Sequence, residues 1–441
     1  MNDMNRRDFV RLAAAAASLA ATPALGRAQS ASPNARIGIA LIGCGGMGRM
    51  DLRDHLRIPE VDCLAVCDVD ESHAAAAAQE VEQIRGRRPA EYGDFRRVLE
   101  RADVAAVIVG TPDHWHALPT ILACQAGKDV YVEKPLALSI GEGRRMVDAA
   151  RKHGRVVQMG TQQRSAEHYR QAVDIVKAGE LGKIRMARAW AYLDWKGELA
   201  PQPDGEPPAG VDYDMWLGPA RQRPFNPNRF HFTFRWYWDY SGGLMTDWGA
   251  HMIDIVNFGM DVRAPRSAMA AGGKFGYPDD AMETPDTQQA VLEYDGFSVI
   301  WEHALGIGRG PWDREHGVEF HGNNGVLVID RGGWEIHAET DKINRPERIS
   351  RMESVPRQPA SGDYHLAHVQ NFIDCVRTRA RPTSDVEIGH HSMKACHLAN
   401  IALRTGRKIH WDDAAEQILD DAEAQALVTA RYRAPWALPE I

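Results

Sequence analysis

The stretch I-G-I-A-L-I-G-C-G-G-M-G, residues 37 to 48, constrains this chain more than any other. An unbroken apolar run reads as a buried strand, and Gly43, Gly45 and Gly48 then fit G-x-G-x-x-G where a helix must begin. The first glycine permits a tight turn, the second lets the backbone approach a pyrophosphate, and the third lets the helix pack. Gly46 and Met47 share that loop, and the N–H groups at the helix start face the phosphates. About 20 residues on, at the end of the next strand, Asp68 can accept from both ribose hydroxyls. The same carboxylate repels a 2′-phosphate, so NAD is favoured and NADP is the alternative.

Apolar runs at 37–43, 61–67, 104–110, 130–133 and 156–160 alternate with helical patterns. Strands apolar throughout imply a parallel sheet covered on both faces, a doubly wound α/β domain over 34–160. A helix at 166–178 follows, and then the pattern changes. R-M-A-R-A-W-A-Y-L (185–193) alternates like a strand with one buried face, and Asp295-Gly296 and Asn324-Gly325 signal hairpins. Residues 161–441 therefore read as an α+β domain with an open, mostly antiparallel sheet. The Pro/Gly-rich stretch 201–210 is a surface excursion, and two more helices are expected at 365–378 and 387–405.

The N-terminus reads as a targeting peptide over residues 1–28. Arg6 and Arg7 precede Phe9, an Ala/Leu-rich run spans 12–25, and G-R-A precedes Gln29. The pattern resembles a twin-arginine export signal, which implies the twin-arginine machinery as a partner and a periplasmic location. The net charge of −8 and the absence of a basic stripe argue against nucleic acid. Most of the six cysteines sit in apolar runs, and substrates of this export route fold in the reducing cytoplasm, so no disulfide is expected.

Ligands of doubly wound sheets bind beyond the C-terminal strand ends. T-P-D-H-W-H (111–116) stands at one such end and brings Thr111, Pro112 and His116 forward as cofactor contacts, with packing an equal reading for His114 and His116. E-K-P (133–135) stands at another, with Glu133 and Lys134. An ammonium just past a buried strand is poorly explained by packing and would stabilise charge at a reacting oxygen. Gln162 and Arg164 follow the next strand, within reach of nicotinamide or substrate, with a plain loop role an equal reading. In R-W-Y-W-D-Y, Trp236, Tyr237 and Trp238 would stack on a sugar or serve as a packed cover. T-D-W-G-A-H then puts Asp247 and His251 four residues apart, on one face if the segment is one helix. No third ligand accompanies them, so no metal is expected there.

Taken in order, G-C-G-G-M-G, T-P-D-H-W-H, E-K-P and S-G-G-L-M-T-D-W-G-A-H-M-I-D resemble the glucose-fructose oxidoreductase and inositol dehydrogenase family, Gfo/Idh/MocA. The resemblance implies a Rossmann domain followed by an open-sheet domain that mediates subunit contacts, hence a homo-oligomer. It implies oxidoreduction at a secondary hydroxyl of a sugar or cyclitol, with Lys134, Asp247 and His251 on the catalytic positions. His251 would exchange the hydroxyl proton, Asp247 would hydrogen-bond the imidazole or a substrate hydroxyl, and Lys134 would bind the reacting oxygen. Export of a folded protein implies a tightly held cofactor regenerated in place. Kinship also allows an NAD-dependent, redox-neutral glycoside hydrolase, and a non-catalytic sugar-binding protein is a third class.

Overall fold

The computed structural model describes residues 36–341 and 347–441, so the twin-arginine segment lies outside the described residues. Six parallel strands form the first sheet: β1 (Ile37–Ile42), β2 (Val61–Cys67), β3 (Ala90–Tyr92), β4 (Ala106–Val109), β5 (Asp129–Val132) and β6 (Val157–Met159). Their order is β3-β2-β1-β4-β5-β6. Chain order reverses between β1 and β4, which opens a crevice at the strand ends. The residues of β1, β4, β5 and β6 are buried throughout, which is why these strands are apolar without alternation. The short edge strand β3, with sequence A-E-Y, carries no apolar run and was not expected.

One cover of this sheet comes from far along the chain. Helix Tyr364–Thr378 packs Val369, Phe372 and Ile373 against Ile39, Leu41 and Tyr131. Residue 160 thus divides the chain between two sheets without dividing the packing.

The second sheet is built from β7 (Ile184–Leu193), β8 (Ser267–Gly273), β9 (Thr287–Tyr294), β10 (Phe297–Leu305), β11 (His316–Gly322), β12 (Gly325–Asp330) and β13 (Gly333–Ala338). Two short strands, β14 (Thr340–Asp341) and β15 (Ile349–Ser350), pair apart from it. β16 (Val355–Pro359), β17 (Ile409–Asp412) and β18 (Gln417–Ile418) complete it in the order β16-β13-β12-β11-β7-β10-β9-β8-β17-β18. All neighbours are antiparallel except β7 and β10. Asp295 and Gly296 turn the β9–β10 hairpin as expected, whereas Gly325 is already the first residue of β12. Helices occupy Glu167–Lys177 and Val386–Thr405, and 201–210 is mostly exposed loop. All six cysteines are buried and unpaired.

Candidate functional site

The glycine loop leads from β1 into helix Gly46–Leu56. Gly43 has φ +90°, and a Cβ there would stand 2.6 Å from the carbonyl carbon of Gly110. A Cβ on Gly48 would stand 2.1 Å from Gly43 O, so the loop and helix close only without side chains. At Gly45 and Gly46 a Cβ would meet nothing within 4 Å. These two glycines border a cavity of about 600 Å³, a size suited to a small ligand or cofactor. Asp68 shares that wall; its Oδ2 accepts from Cys44 N at 2.6 Å and its Oδ1 from Asp70 N at 2.9 Å. Gly48→Ala should weaken NADH binding by about 10- to 100-fold, since overpacking a tight contact costs about 1–3 kcal/mol. Fluorescence titration checks this, and unchanged affinity would mean the close contact is dispensable.

The cavity runs from the glycines past Thr111 and Pro112 to Glu133, Lys134 and Asp247. There the Lys134 ammonium meets the Asp247 carboxylate, with Arg235 Nε 3.9 Å from the other oxygen. Burial alone would push the Asp247 carboxyl up, but Lys134 and Arg235 outweigh it and hold it below its ordinary value. Lys134 is therefore paired with Asp247 across the chain. Neighbouring Glu133 instead accepts from Gln162 Nε2 at 3.1 Å, and burial raises it to about 7.

Asp113 also faces the cavity, accepts from Ser241 Oγ, and is raised by burial to about 7. Between its unfolded value of 3.8 and about 7, the folded chain holds a proton that the unfolded chain releases. Stability from this group therefore falls as pH rises through that window, by about 1.4 kcal/mol per pH unit at the steepest. Asp113→Asn should remove that slope, so its melting temperature should gain on the parent's between pH 5 and pH 8. Parallel melting profiles would show that Asp113 does not titrate there.

The expected single helix carrying Asp247 and His251 is in fact two, Gly243–Asp247 and Gly249–Met260, broken at Trp248. Gly243, with φ +64°, starts the first where a Cβ would strike Thr284 at 2.7 Å. The break sends Asp247 to Lys134. His251 is buried beside the Trp248 ring, Nδ1 has no protein partner, and the residue is not among those lining the cavity. Burial, then Lys134, Arg331, His365 and His316, push its pKa well below the ordinary value, so the imidazole is neutral and its charged form is disfavoured while these groups surround it.

Several candidate residues stand elsewhere. His116 sets its ring nitrogens against the backbone carbonyls of Pro135, at 2.5 Å, and Thr111, at 2.8 Å; burial lowers it to about 4, so the neutral ring donates to one of them and packs in the loop after β4. Arg164 is buried in an ion pair with Asp254 at 2.7 Å, and Gln162 touches Glu133 rather than the cavity. Trp236 and Tyr237 are buried in the core, and Trp238 donates its indole N–H to Glu283 O. The aromatics that do reach the cavity from this segment are Phe232 and Phe234, together with Arg235. Sequence periodicity offered no signal for them, because the segment His231–Trp236 is a 3-10 turn. Also unforeseen, donor atoms of Asp70, His73 and His231 gather within 4.8 Å of one another at the Asp68 end.

Residues 37–161 match the Gfo/Idh/MocA model described as an oxidoreductase family with an NAD-binding Rossmann fold. Residues 163–281 and 349–438 match the companion model, the C-terminal alpha/beta domain. The chain belongs to the Gfo/Idh/MocA family. Inositol 2-dehydrogenase of Salmonella typhimurium (strain LT2) is 32% identical over 158 residues, 34% of this chain and 45% of the relative. The match thus spans less than half the length of that curated relative. Glycosyl hydrolase family 109 protein 1 of Shewanella sp. (strain ANA-3) is 27% identical over 215 residues, 44% of this chain and 47% of the relative. Among solved structures, levoglucosan dehydrogenase in complex with NADH and levoglucosan has a TM-score of 0.64 at 17% identity. That similarity covers 85% of this chain and 99% of the other, and it shows the shared fold. As a family member, the chain carries an NAD-binding Rossmann domain, and the open glycine cradle with Asp68 on its wall fits that cofactor.

Proposed function

We propose that this protein is a nicotinamide-dependent oxidoreductase acting on a secondary hydroxyl of a sugar or cyclitol, with its cofactor tightly held. The observation that carries the reading is the Lys134–Asp247 pair on the wall of the cavity that begins at the glycine loop. Bound NAD would supply the hydride acceptor. Lys134 would donate to the substrate oxygen and stabilise its developing charge, while Asp247 orients the ammonium. His251, neutral and with Nδ1 free, would take the hydroxyl proton. A carbohydrate ring suits the mixed lining of charged groups with Phe232, Phe234 and Trp216.

The twin-arginine pattern at residues 6–7 supports export of the folded protein to the periplasm, where no free nicotinamide pool serves it. A resident cofactor follows from that. The open second sheet, with Met269 40% exposed on β8, supports a homo-oligomer. A second reading, a redox-neutral glycoside hydrolase, is favoured by the similarity to the family 109 glycosyl hydrolase.

Cofactor analysis of the purified protein, combined with a glycoside panel, separates the readings. A ketosugar product supports the oxidoreductase. Free aglycone without accumulated reduced nicotinamide supports the hydrolase. No turnover of any sugar would remove both. A protein that purifies without nicotinamide and binds it weakly would remove the resident-cofactor part alone.

A further inference from the structure

Trp248 stands at the break after Asp247, and three cationic or titratable groups surround its indole. The His316 ring, on β11, is 4.7 Å from it, the Arg331 guanidinium 4.7 Å, and the His251 ring 5.9 Å. Arg331 lies in the turn between β12 and β13, so the second sheet and the helix Gly249–Met260 contribute jointly. Among the described residues their polar atoms lack partners: His251 Nδ1, both ring nitrogens of His316, and Arg331 Nε are all buried and unbonded. Four such atoms gathered round one indole form a polar patch that a bound group would satisfy.

Charge narrows what that ligand is. Adjacent Asp330 pairs with Arg314 and Arg357, and among the described residues no carboxylate forms an ion pair with Arg331. Lys134 and Asp247 balance each other. Burial lowers His316 to about 4, with Arg331 adding to the effect, and His365 is lowered by burial and by Arg331 as well. The histidines are thus neutral hydrogen-bonding groups, and the guanidinium remains as an unbalanced charge in a partly desolvated place. Neutral hydroxyls would satisfy the nitrogens but leave that charge. An anion would pair with the guanidinium and accept from the donor nitrogen of His316. Both Arg331 and His316 lie in residues 282–348, a stretch the family models do not match.

We propose that Arg331 and His316, which flank Trp248 beside His251, hold an anionic group of the substrate, so that the sugar taken beside Lys134 and Asp247 carries a carboxylate or a phosphate. The word substrate rests on the oxidoreductase reading; the binding site does not. Isothermal titration of the purified holoprotein with D-glucuronate, D-glucose 6-phosphate and D-glucose tests it. At least one anionic probe should bind about 10- to 100-fold more tightly than glucose, the range expected of hydrogen bonds to a charged group. The probe that gains identifies carboxylate or phosphate.

Arg331→Gln should abolish the preference, and Arg331→Lys, which keeps the charge, should retain part of it. His316→Asn, a neutral change, should reduce the preference without removing it. Circular dichroism and NADH fluorescence establish that each variant is folded and cofactor-competent. Equal affinity for glucose, no binding of either anionic probe, or a preference that survives in folded Arg331→Gln would each overturn the proposal. Binding that depends on Arg331 without any nicotinamide reduction would leave the site standing and remove the oxidoreductase reading.

Discussion

Lys134→Met is expected to lower turnover by about 10²- to 10³-fold, the loss typical when a preorganised charge-stabilising donor is removed. Stability should fall as well. The Lys134 side chain is 14% exposed and that of Asp247 8%, so the variant leaves a carboxylate buried without its main partner. Breaking such a pair costs about 3–5 kcal/mol, and Arg235 at 3.9 Å places the expected value near the lower end. Removing both charges, Lys134→Met with Asp247→Asn, should restore much of the stability and none of the activity. Chemical denaturation and steady-state kinetics of the single and double variants check this. A double variant as unstable as the single one would mean that the pair does not govern stability. Full activity in Lys134→Met would remove Lys134 from the chemistry.

His251→Ala should lower turnover by about 10²- to 10⁴-fold, the usual contribution of a positioned general base. NADH affinity should stay within a factor of about two, because His251 is not on the cavity wall shared with the glycine loop. The imidazole is neutral in its buried place, so its loss strands no charge, and the fold should survive. Normal turnover in the variant would sink the assignment. Loss of NADH binding would point instead to a structural role.

How much of this was legible beforehand depends on the kind of information each element carries. The strands β1, β2, β4, β5 and β6 of the first sheet announce themselves because burial on both faces favours apolar residues at most positions. The glycine cradle is equally visible, since close backbone approach at Gly43 and Gly48 excludes every side chain and so writes itself into composition. The strand β3 was not visible, being a short edge with one residue of each character. Asp247 and His251 were visible as a pair, but their relation was not, because the segment is two helices, Gly243–Asp247 and Gly249–Met260, with Trp248 between them.

The longest gap lies in residues whose meaning comes from distant neighbours. Arg164 looked like a ligand group from its place after β6, and its partner Asp254 is 90 residues away. Trp236 and Tyr237 read equally as a sugar platform or a packed cover; both are buried, and the turn through His231–Trp236 presents Phe232, Phe234 and Arg235 instead. Nothing local marks Arg331 or His316 as neighbours of His251.

The amino-acid sequence by itself determined the dinucleotide-binding architecture, the glycine loop with Asp68 some 20 residues beyond it, and the residue types available for proton and charge handling. These are local properties, set by strand burial, by turns only glycine can make, and by residues a short distance from them. Tertiary structure alone decided that Lys134 answers Asp247 and not Glu133, that His251 is neutral with Nδ1 unbonded among the described residues, and that Asp330 beside Arg331 is taken by Arg314 and Arg357. Those facts depend on which charges share a desolvated volume, and desolvation is a property of the assembled fold.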